Sequence, residues 1–155
     1  MRLKRIFVVM VLCLIAFPVF AQEVTKNTMD SVRDALKAQK RAFVAVNMQL
    51  TNAEDAKFWP VYDSYQKDLE NMNQKIGGLI LDYAKNYETL TDTKADELLK
   101  KNLALEKEML KLKTSYLPKF SAVLPAKKVA RYYQLESKIQ AVIRYDLADK
   151  IPLVK

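Results

Sequence analysis

The sequence contains no histidine, one cysteine and two glycines among its 155 residues. Histidine is the commonest general base and transition-metal ligand, and Cys13 lies in the N-terminal apolar segment, so we expect no catalytic residue, cofactor or metal site. The two glycines, Gly77 and Gly78, are adjacent, which leaves no glycine-rich phosphate loop. Sheets need more turn residues than this. We therefore predict an all-α chain with few, short connections.

The N-terminus has the organisation of a secretory signal peptide. Cations at positions 2, 4 and 5 precede an apolar stretch over residues 6–17, which is too short to span a bilayer comfortably. Small residues stand at the two positions that a signal peptidase reads, Val19 and Ala21. We place cleavage after Ala21 and predict a periplasmic protein with a signal peptide over residues 1–21. Residues 22–155 suit a single all-helical domain.

Charge is distributed unevenly along the predicted exported part. Residues 22–90 carry nine Lys and Arg against ten Asp and Glu, whereas residues 91–155 carry fourteen against eight. A net charge of +6 in the second half favours acidic partners, which are protein segments, anionic lipid or nucleic acid. Behind a signal peptide we expect no nucleic acid, and we favour an acidic protein over a membrane surface.

Apolar spacing predicts four amphipathic helices, over residues 27–48, 51–89, 93–122 and 125–147. The second has a heptad seam in which steps of four and three alternate. Prolines at positions 60 and 118 remove hydrogen bonds within the two long helices, so we expect bends there and a bundle or curved cradle. The glycine pair leaves a second bend, a close helix crossing or a short break open. The seam comprises Phe58, Tyr62, Tyr65, Leu69, Met72, Ile76, Leu79 and Tyr83.

Further apolar rows lie on the first and third helices. Two neighbouring rows on the third helix make a broad face, which we expect to contact two other helices. Trp59, just off the seam, either seals the junction of the first and second helices or lies on an exposed binding face, and we favour the first. The row of the first helix is Met29, Val32, Leu36, Phe43, Val46 and Leu50; those of the third are Leu98, Leu105, Met109, Leu112, Tyr116 and Phe120, and Leu99, Leu103, Leu110, Leu117 and Leu124.

A helix-start phrase occurs twice, 40 positions apart. Leu50 and Thr51 open the second helix, and Leu90 and Thr91 open the third. The threonine hydroxyl can accept from the amide donors of the first turn, and Glu54 can reach back to the amide of Thr51. The phrase predicts two helix starts and names no chemistry.

Together with the signal peptide and the all-α chain, these phrases resemble the CpxP/Spy family of periplasmic stress proteins, also called the LTXXQ family. Both Leu-Thr pairs match the family motif, whereas its glutamine position holds Glu54 in the first copy and Lys94 in the second. The resemblance implies a cradle-shaped homodimer that binds unfolding proteins without ATP, or that damps a membrane sensor kinase. Relatives that bind metal do so through histidines, so no metal site is carried over.

The densest basic cluster lies at the start of the fourth helix, where two tyrosines follow it. Cations are unfavourable at the positive end of a helix, and their presence there hints at use in binding. We expect the cations to attract acidic clients and the tyrosines to supply contact area, although a solvated basic face is the plainer interpretation. The candidate client-binding residues are Lys127, Lys128, Arg131, Tyr132 and Tyr133.

These observations predict an ATP-independent periplasmic chaperone or envelope-stress adaptor, which binds unfolded or partner proteins on a basic, partly apolar helical surface. A dedicated regulator of one envelope sensor protein is the alternative. An enzyme of the secreted, all-α chorismate mutase type is less favoured, because the sequence does not place the arginines of residues 22–155 around one pocket. Those arginines are Arg33, Arg41, Arg131 and Arg144.

Overall fold

The structure is a computed structural model that describes residues 26–155, with side chains from residue 31 onward. Within this range the chain forms four α-helices and no strand, which confirms the all-α prediction. The predicted signal peptide and the side chain of Met29 lie outside the described residues. The helices are α1 (Lys26–Met48), α2 (Asn52–Asn86), α3 (Asp92–Ser121) and α4 (Ala126–Lys150), and a 3-10 helix (Tyr87–Thr89) follows α2.

The chain divides into two compact units, of which the first ends at Lys40 and the second comprises Arg41–Lys155. The described part of the first unit is the N-terminal portion of α1, where Val32 and Leu36 are more than half exposed. The second unit holds the last two turns of α1 together with α2, α3 and α4. It contains the core and every site described below.

Helices α2 and α3 begin at the two Leu-Thr pairs, as predicted. The Oγ1 of Thr51 accepts from the backbone N–H of Glu54 (3.3 Å), and the Glu54 carboxylate accepts from the backbone N–H of Thr51 (2.8 Å). The Oγ1 of Thr91 accepts from the backbone N–H of Lys94 (3.3 Å). Each hydroxyl satisfies an amide that the first helical turn leaves without a partner. Because a lysine side chain cannot accept, only the first cap is reciprocal.

Helices α2 and α3 are antiparallel neighbours. The rings of Tyr65 and Tyr116 have centroids 5.1 Å apart, and Lys75 pairs with Glu108 over 2.7 Å. Rising residue numbers in α2 therefore meet falling numbers in α3. The short connection between the two helices favours this arrangement.

Helix α4 runs beside α2 in the same direction. Phe58 contacts Tyr132 with ring centroids 5.3 Å apart, and Gln66 donates to Glu136 over 3.0 Å. Farther along, the Tyr83 hydroxyl donates to the carbonyl of Pro152, just beyond the end of α4 (2.9 Å). These contacts place α4 against the aromatic seam of α2.

The core is formed by the α2 seam, the first apolar row of α3 and the N-terminal half of α4. Phe120 and Tyr132 lie closest among its rings, with centroids 4.6 Å apart. Tilted and edge-to-face pairs of this kind add about 0.5–1.5 kcal/mol each beyond the area they bury. The seam prediction is confirmed: its first five residues are buried and its last three are half-buried. The core cluster comprises Val44, Met48, Phe58, Tyr62, Tyr65, Leu69, Met72, Met109, Tyr116, Phe120, Leu124, Val129, Tyr132 and Leu135.

The predicted apolar row of α1 is wrong within the second unit. Phe43 and Val46 are exposed, whereas Val44 and Met48 are fully buried. Arg41 stacks over the ring of Trp59 in α2. Because Arg41 lies on the same side of α1 as Val44 and Met48, this stack turns that side of the helix toward the core. Phe43 and Val46 therefore face away from the core of this unit, whereas Leu50, the last member of the row, lies beyond the helix end and packs against the core.

The second apolar row of α3 is also exposed, contrary to the expectation that it contacts another helix. Its first four members are 45–65% exposed, and its last member, Leu124, is buried beyond the helix end. Helices α2 and α4 both pack on the other row, around Tyr116 and Phe120, which leaves this face of α3 uncovered within the described chain. The name leucine row is used below for Leu99, Leu103, Leu110 and Leu117.

Helix α2 continues without interruption through Gly77 and Gly78. Neither glycine has a positive φ, and a Cβ added at either position would meet no atom within 4 Å. A break and a close helix crossing are therefore both wrong as explanations of the pair. Pro60 and Pro118 likewise lie inside continuous helices, and the bends expected there stay predictions.

Candidate functional site

A groove beside the N-terminal half of α4 gathers the cations that the sequence singles out, and we call it the α4 groove. Its volume is about 390 Å³. Four of its residues recur at steps of four, three and four along α4, so they share one face of the helix. Asn47, near the end of α1, forms the opposite wall. The lining residues are Asn47, Lys127, Arg131, Gln134, Leu135 and Lys138.

The three cations of the α4 groove are available to a ligand. Lys127, Arg131 and Lys138 are exposed, and none makes an ion pair or hydrogen bond with any residue in the described part of the chain. No acidic residue lies in the first turn of α4, so the positive end of the helix dipole adds to their field. By contrast, carboxylates pair with six other lysines: Lys75, Lys94, Lys100, Lys101, Lys128 and Lys155.

Lys128, predicted to bind clients, also serves the fold. Its Nζ pairs with the Glu54 carboxylate and donates to the backbone carbonyl of Gln49 over 2.9 Å. Its side chain is only 25% exposed. Lys128 holds the pKa of Glu54 below its ordinary value, and the hydrogen bond from the Thr51 amide adds to this shift. Lys128 therefore has a carboxylate partner within the chain, and its part in client binding stays a prediction.

The turn between α1 and α2 depends on the same lysine. Gln49 follows the last residue of α1 and has a φ of 50°, a left-handed conformation that a non-glycine residue adopts at some cost. Its carbonyl accepts from Lys128, and the next residue, Leu50, packs against the core. Lys128 therefore fixes the start of α4 to the turn at the start of α2.

The two tyrosines predicted as contact residues also belong to the fold. Tyr132 is 1% exposed and lies in the aromatic core, so it cannot touch a partner of the folded protein. Tyr133 is half-buried, and its hydroxyl donates to the backbone carbonyl of Lys113 over 2.7 Å. The repeat of buried positions from Val129 through Tyr132 to Leu135 is a helical core pattern. That spacing was the sequence signal that Tyr132 is buried.

A buried polar cluster lies behind the α4 groove. The amide nitrogen of Gln66 donates to the Tyr132 hydroxyl (3.2 Å) and to the Glu136 carboxylate (3.0 Å), and the Tyr132 hydroxyl donates to Glu136 (3.2 Å). Glu136 is 3% exposed. Burial raises the pKa of Tyr132 and of Tyr62, and the negative charge of Glu136 raises both further. The cluster fixes the rotation of α4 about its axis and so the direction of the groove.

The junction of α1 and α2 is sealed as predicted for Trp59. Its indole Nε1 donates to Asp55 (2.6 Å), and the guanidinium of Arg41 stacks over the ring at 4.1 Å. Arg41 also pairs with Asp63. This stack orients the end of α1, which carries the Asn47 wall of the α4 groove.

A second groove, between α2 and α3, has its charges paired. It occupies about 310 Å³ beside Gly78 and Ala104. Lys75 pairs with Glu108 at one end, and Lys101 lies 3.9 Å from Asp82 at the other. Its charges are matched within the chain, so it attracts a charged ligand less strongly than the α4 groove does.

Sequence reasoning identified Lys127 and Arg131 in the α4 groove but missed the other four lining residues. Lys138 and Gln134 were detectable, because they continue the steps of four and three along the same helix face. Asn47 was not, since it lies 80 positions before Lys127 and reaches the groove only through the packing of α1.

The described residues contain no group of three or more His, Cys, Asp or Glu side chains that could hold a metal ion. None of the helices that begin at or after residue 26 is both long and apolar enough to cross a bilayer.

No protein-family model, no curated protein and no solved structure matches the chain. The resemblance to the CpxP/Spy family therefore stays a prediction that rests on the signal peptide, the helical architecture and the two Leu-Thr helix starts.

Proposed function

We propose that the protein is an ATP-independent periplasmic chaperone or envelope-stress adaptor that binds acidic segments of unfolded or partner proteins in the α4 groove. The observation that carries this proposal is the row of three unpaired cations, Lys127, Arg131 and Lys138, on one face of α4. Exposed lysines elsewhere, such as Lys57 and Lys67, also lack an ion pair within the described chain, but the three cations of this row line one groove together. A row left without partners inside a groove favours an external anion.

The groove suits weak and reversible capture. Charges on an open surface attract an acidic chain over roughly 10 Å at ordinary salt and so raise the rate of encounter more than the lifetime of the complex. Arg131 can hold a carboxylate through two parallel hydrogen bonds, while the lysines act as mobile point charges. Leu135, at the base of the groove, offers a small apolar contact. Because such binding is weak, a client can dissociate without nucleotide hydrolysis.

The proposal places the protein in the periplasm as a homodimer, as the family resemblance implies. The leucine row supplies a surface on which two copies can pair. In an antiparallel pair centred on Leu110, Leu103 of each copy faces Leu117 of the other. The same register sets Glu106 of each copy opposite the partner's Lys113, because the two lie four positions before and three positions after Leu110. A parallel pair would instead oppose like charges, which disfavours it.

The deciding experiment dilutes a chemically unfolded, aggregation-prone acidic client into buffer with the purified protein and no nucleotide, and follows light scattering. We expect suppression at near-stoichiometric amounts. The triple variant K127E/R131E/K138E should lose it. The matched control K57E/K67E/K85E makes the same change of net charge at exposed positions of α2 and should retain it.

Two outcomes would change the proposal. Equal loss in both triple variants would assign capture to net charge and not to the α4 groove. If the folded, helical protein fails with several clients, and one envelope protein is retained in a pull-down, the dedicated adaptor replaces the chaperone.

A further inference from the structure

The basic row of α4 continues into an exposed apolar pair on the same helix face. Val142 and Tyr145 follow Lys138 by four and seven positions, which keeps them in line with the cations. Val142 is 60% exposed and Tyr145 is 77% exposed. From Lys127 to Tyr145 this face extends for about 27 Å at the helical rise of 1.5 Å per residue.

We propose that this face is a single two-part site for a linear protein segment in which two or three carboxylates are joined to a large apolar side chain. The inference rests on the proposed function, because the carboxylates would occupy the α4 groove. It adds the second part of the site, the order of the two parts and the chemistry of the segment.

The spacing of the cations fits the carboxylates of a linear chain. Along α4, Lys127 and Arg131 are about 6 Å apart, and Arg131 and Lys138 about 10 Å. An extended peptide advances about 3.3 Å per residue, so carboxylates two and then three residues apart meet all three cations. Charge complementarity therefore specifies the acidic part of the segment.

The apolar part is specified by the far end of the same face. Tyrosine supplies a broad apolar ring with few rotatable bonds, which is why it is frequent at contact surfaces of proteins. Val142 widens the contact beside it. A segment that carries only charge would leave both side chains unused.

The distribution of charge along α4 sets the polarity of the site. At the apolar end the exposed charges of the helix balance; they are Arg144, Asp146, Asp149 and Lys150. At the other end the cations of the α4 groove meet no acidic residue in the first turn of the helix. The acidic part of the segment therefore lies toward Lys127. An anionic membrane would meet the whole length of the helix and gain no such attraction at the apolar end.

The test measures binding of three fluorescent peptides to the full-length protein. One has three glutamates and polar residues, the second has the same glutamates followed by leucine and tryptophan, and the third has the second peptide's composition with the two kinds of residue interspersed. We expect the second to bind about tenfold more tightly than the other two, which corresponds to the burial of about two side-chain methylenes or more.

The V142S/Y145S variant should lose this tenfold advantage and keep its affinity for the acidic peptide. The control V46S/L81S removes two exposed apolar side chains elsewhere and should keep the advantage. Because all four positions are exposed, each variant should fold, and its circular dichroism would verify this.

The outcomes separate the inference from the proposed function. If the acidic peptide binds but its apolar extension adds nothing, or V142S/Y145S keeps the advantage, the two-part site is wrong and the α4 groove stands. If the interspersed peptide binds as tightly as the second, the order is wrong. Failure of all three peptides would overturn both proposals. Stronger binding to anionic vesicles that is lost in V142S/Y145S would replace the segment by a membrane surface.

Discussion

Lys128 reaches across from the first turn of α4 to pair with Glu54, the residue that completes the cap of α2. The second Leu-Thr phrase has the same design with opposite charge. There Lys94, also three positions after the capping threonine, pairs with Asp82 of α2 over 2.9 Å. In both copies one residue therefore combines helix capping with a contact between helices.

Removing either capping hydroxyl should destabilise the protein. We expect Thr51→Ala and Thr91→Ala each to lower the free energy of unfolding by about 1 kcal/mol. Thr51→Ala should cost more, because Thr51 also orients Glu54 for Lys128. Urea denaturation followed by circular dichroism measures both values. Equal losses would show that the reciprocal cap adds nothing to the simple one.

Acid should weaken the contact between Lys128 and Glu54. Since this contact lowers the pKa of Glu54 in the folded state, it stabilises the protein above the ordinary carboxylate pKa and is lost as pH falls through the lowered value. Glu54→Gln keeps an acceptor for the Thr51 amide but does not titrate. The wild type should therefore lose more stability than E54Q between pH 7 and pH 3, as measured by the urea midpoint. Parallel losses would assign acid sensitivity to other carboxylates.

Much of the fold was predictable from local sequence, and the choice of buried face was not. Thr51 and Thr91 mark helix starts through contacts with residues only three positions away. On α3, however, the rows that contain Met109 and Leu110 have the same period and similar hydrophobicity. The first is buried because both α2 and α4 pack on that side, and their positions depend on contacts between distant segments.

The residues of the α4 groove were likewise only partly predictable from local sequence. Lys127 and Lys128 are adjacent and identical in chemistry, yet one is free and the other is paired. The partner of Lys128 lies 74 positions away and on another helix. Only the rotation of α4, which its buried residues set, decides which lysine points into the groove.

Client capture should depend on salt. Because Lys127, Arg131 and Lys138 are exposed, added salt screens their attraction to a carboxylate. The rate of association with an acidic client should therefore fall several-fold between 50 mM and 500 mM NaCl, whereas the rate of dissociation should change less. Stopped-flow fluorescence separates the two rates. A rate of association that does not change with salt would contradict electrostatic capture.

The leucine row predicts a specific rescue between two charge variants. E106K should weaken self-association by about tenfold, because it sets like charges opposite each other in the antiparallel pair, and K113E should do the same. The double variant E106K/K113E restores opposite charges and should return to within about twofold of the wild type. Analytical ultracentrifugation measures all four proteins.

Leu110→Gln serves as the control for the same row. Leu110 is 65% exposed, so the variant should fold as the wild type does but remain monomeric. Two results would contradict the antiparallel pair: a double variant weaker than either single variant, or a wild type that is monomeric at high concentration.

The glycine pair of α2 should yield gains in stability. Gly77 and Gly78 have helical φ values and open space where a Cβ would stand, so alanine fits at either position without strain. Alanine restricts the unfolded chain and is the better helix former, and each substitution should raise the free energy of unfolding by about 0.5–1 kcal/mol. Gly77→Ala and Gly78→Ala are compared in urea, with Ala84→Gly on the same helix expected to lower stability by a similar amount.

Of the two glycines, Gly78 alone lines the groove between α2 and α3. If G78A is stabilised as G77A is but loses client capture, the glycine keeps that groove open for a ligand; if capture is unchanged, the pair is a cost to stability that neither the fold nor capture requires.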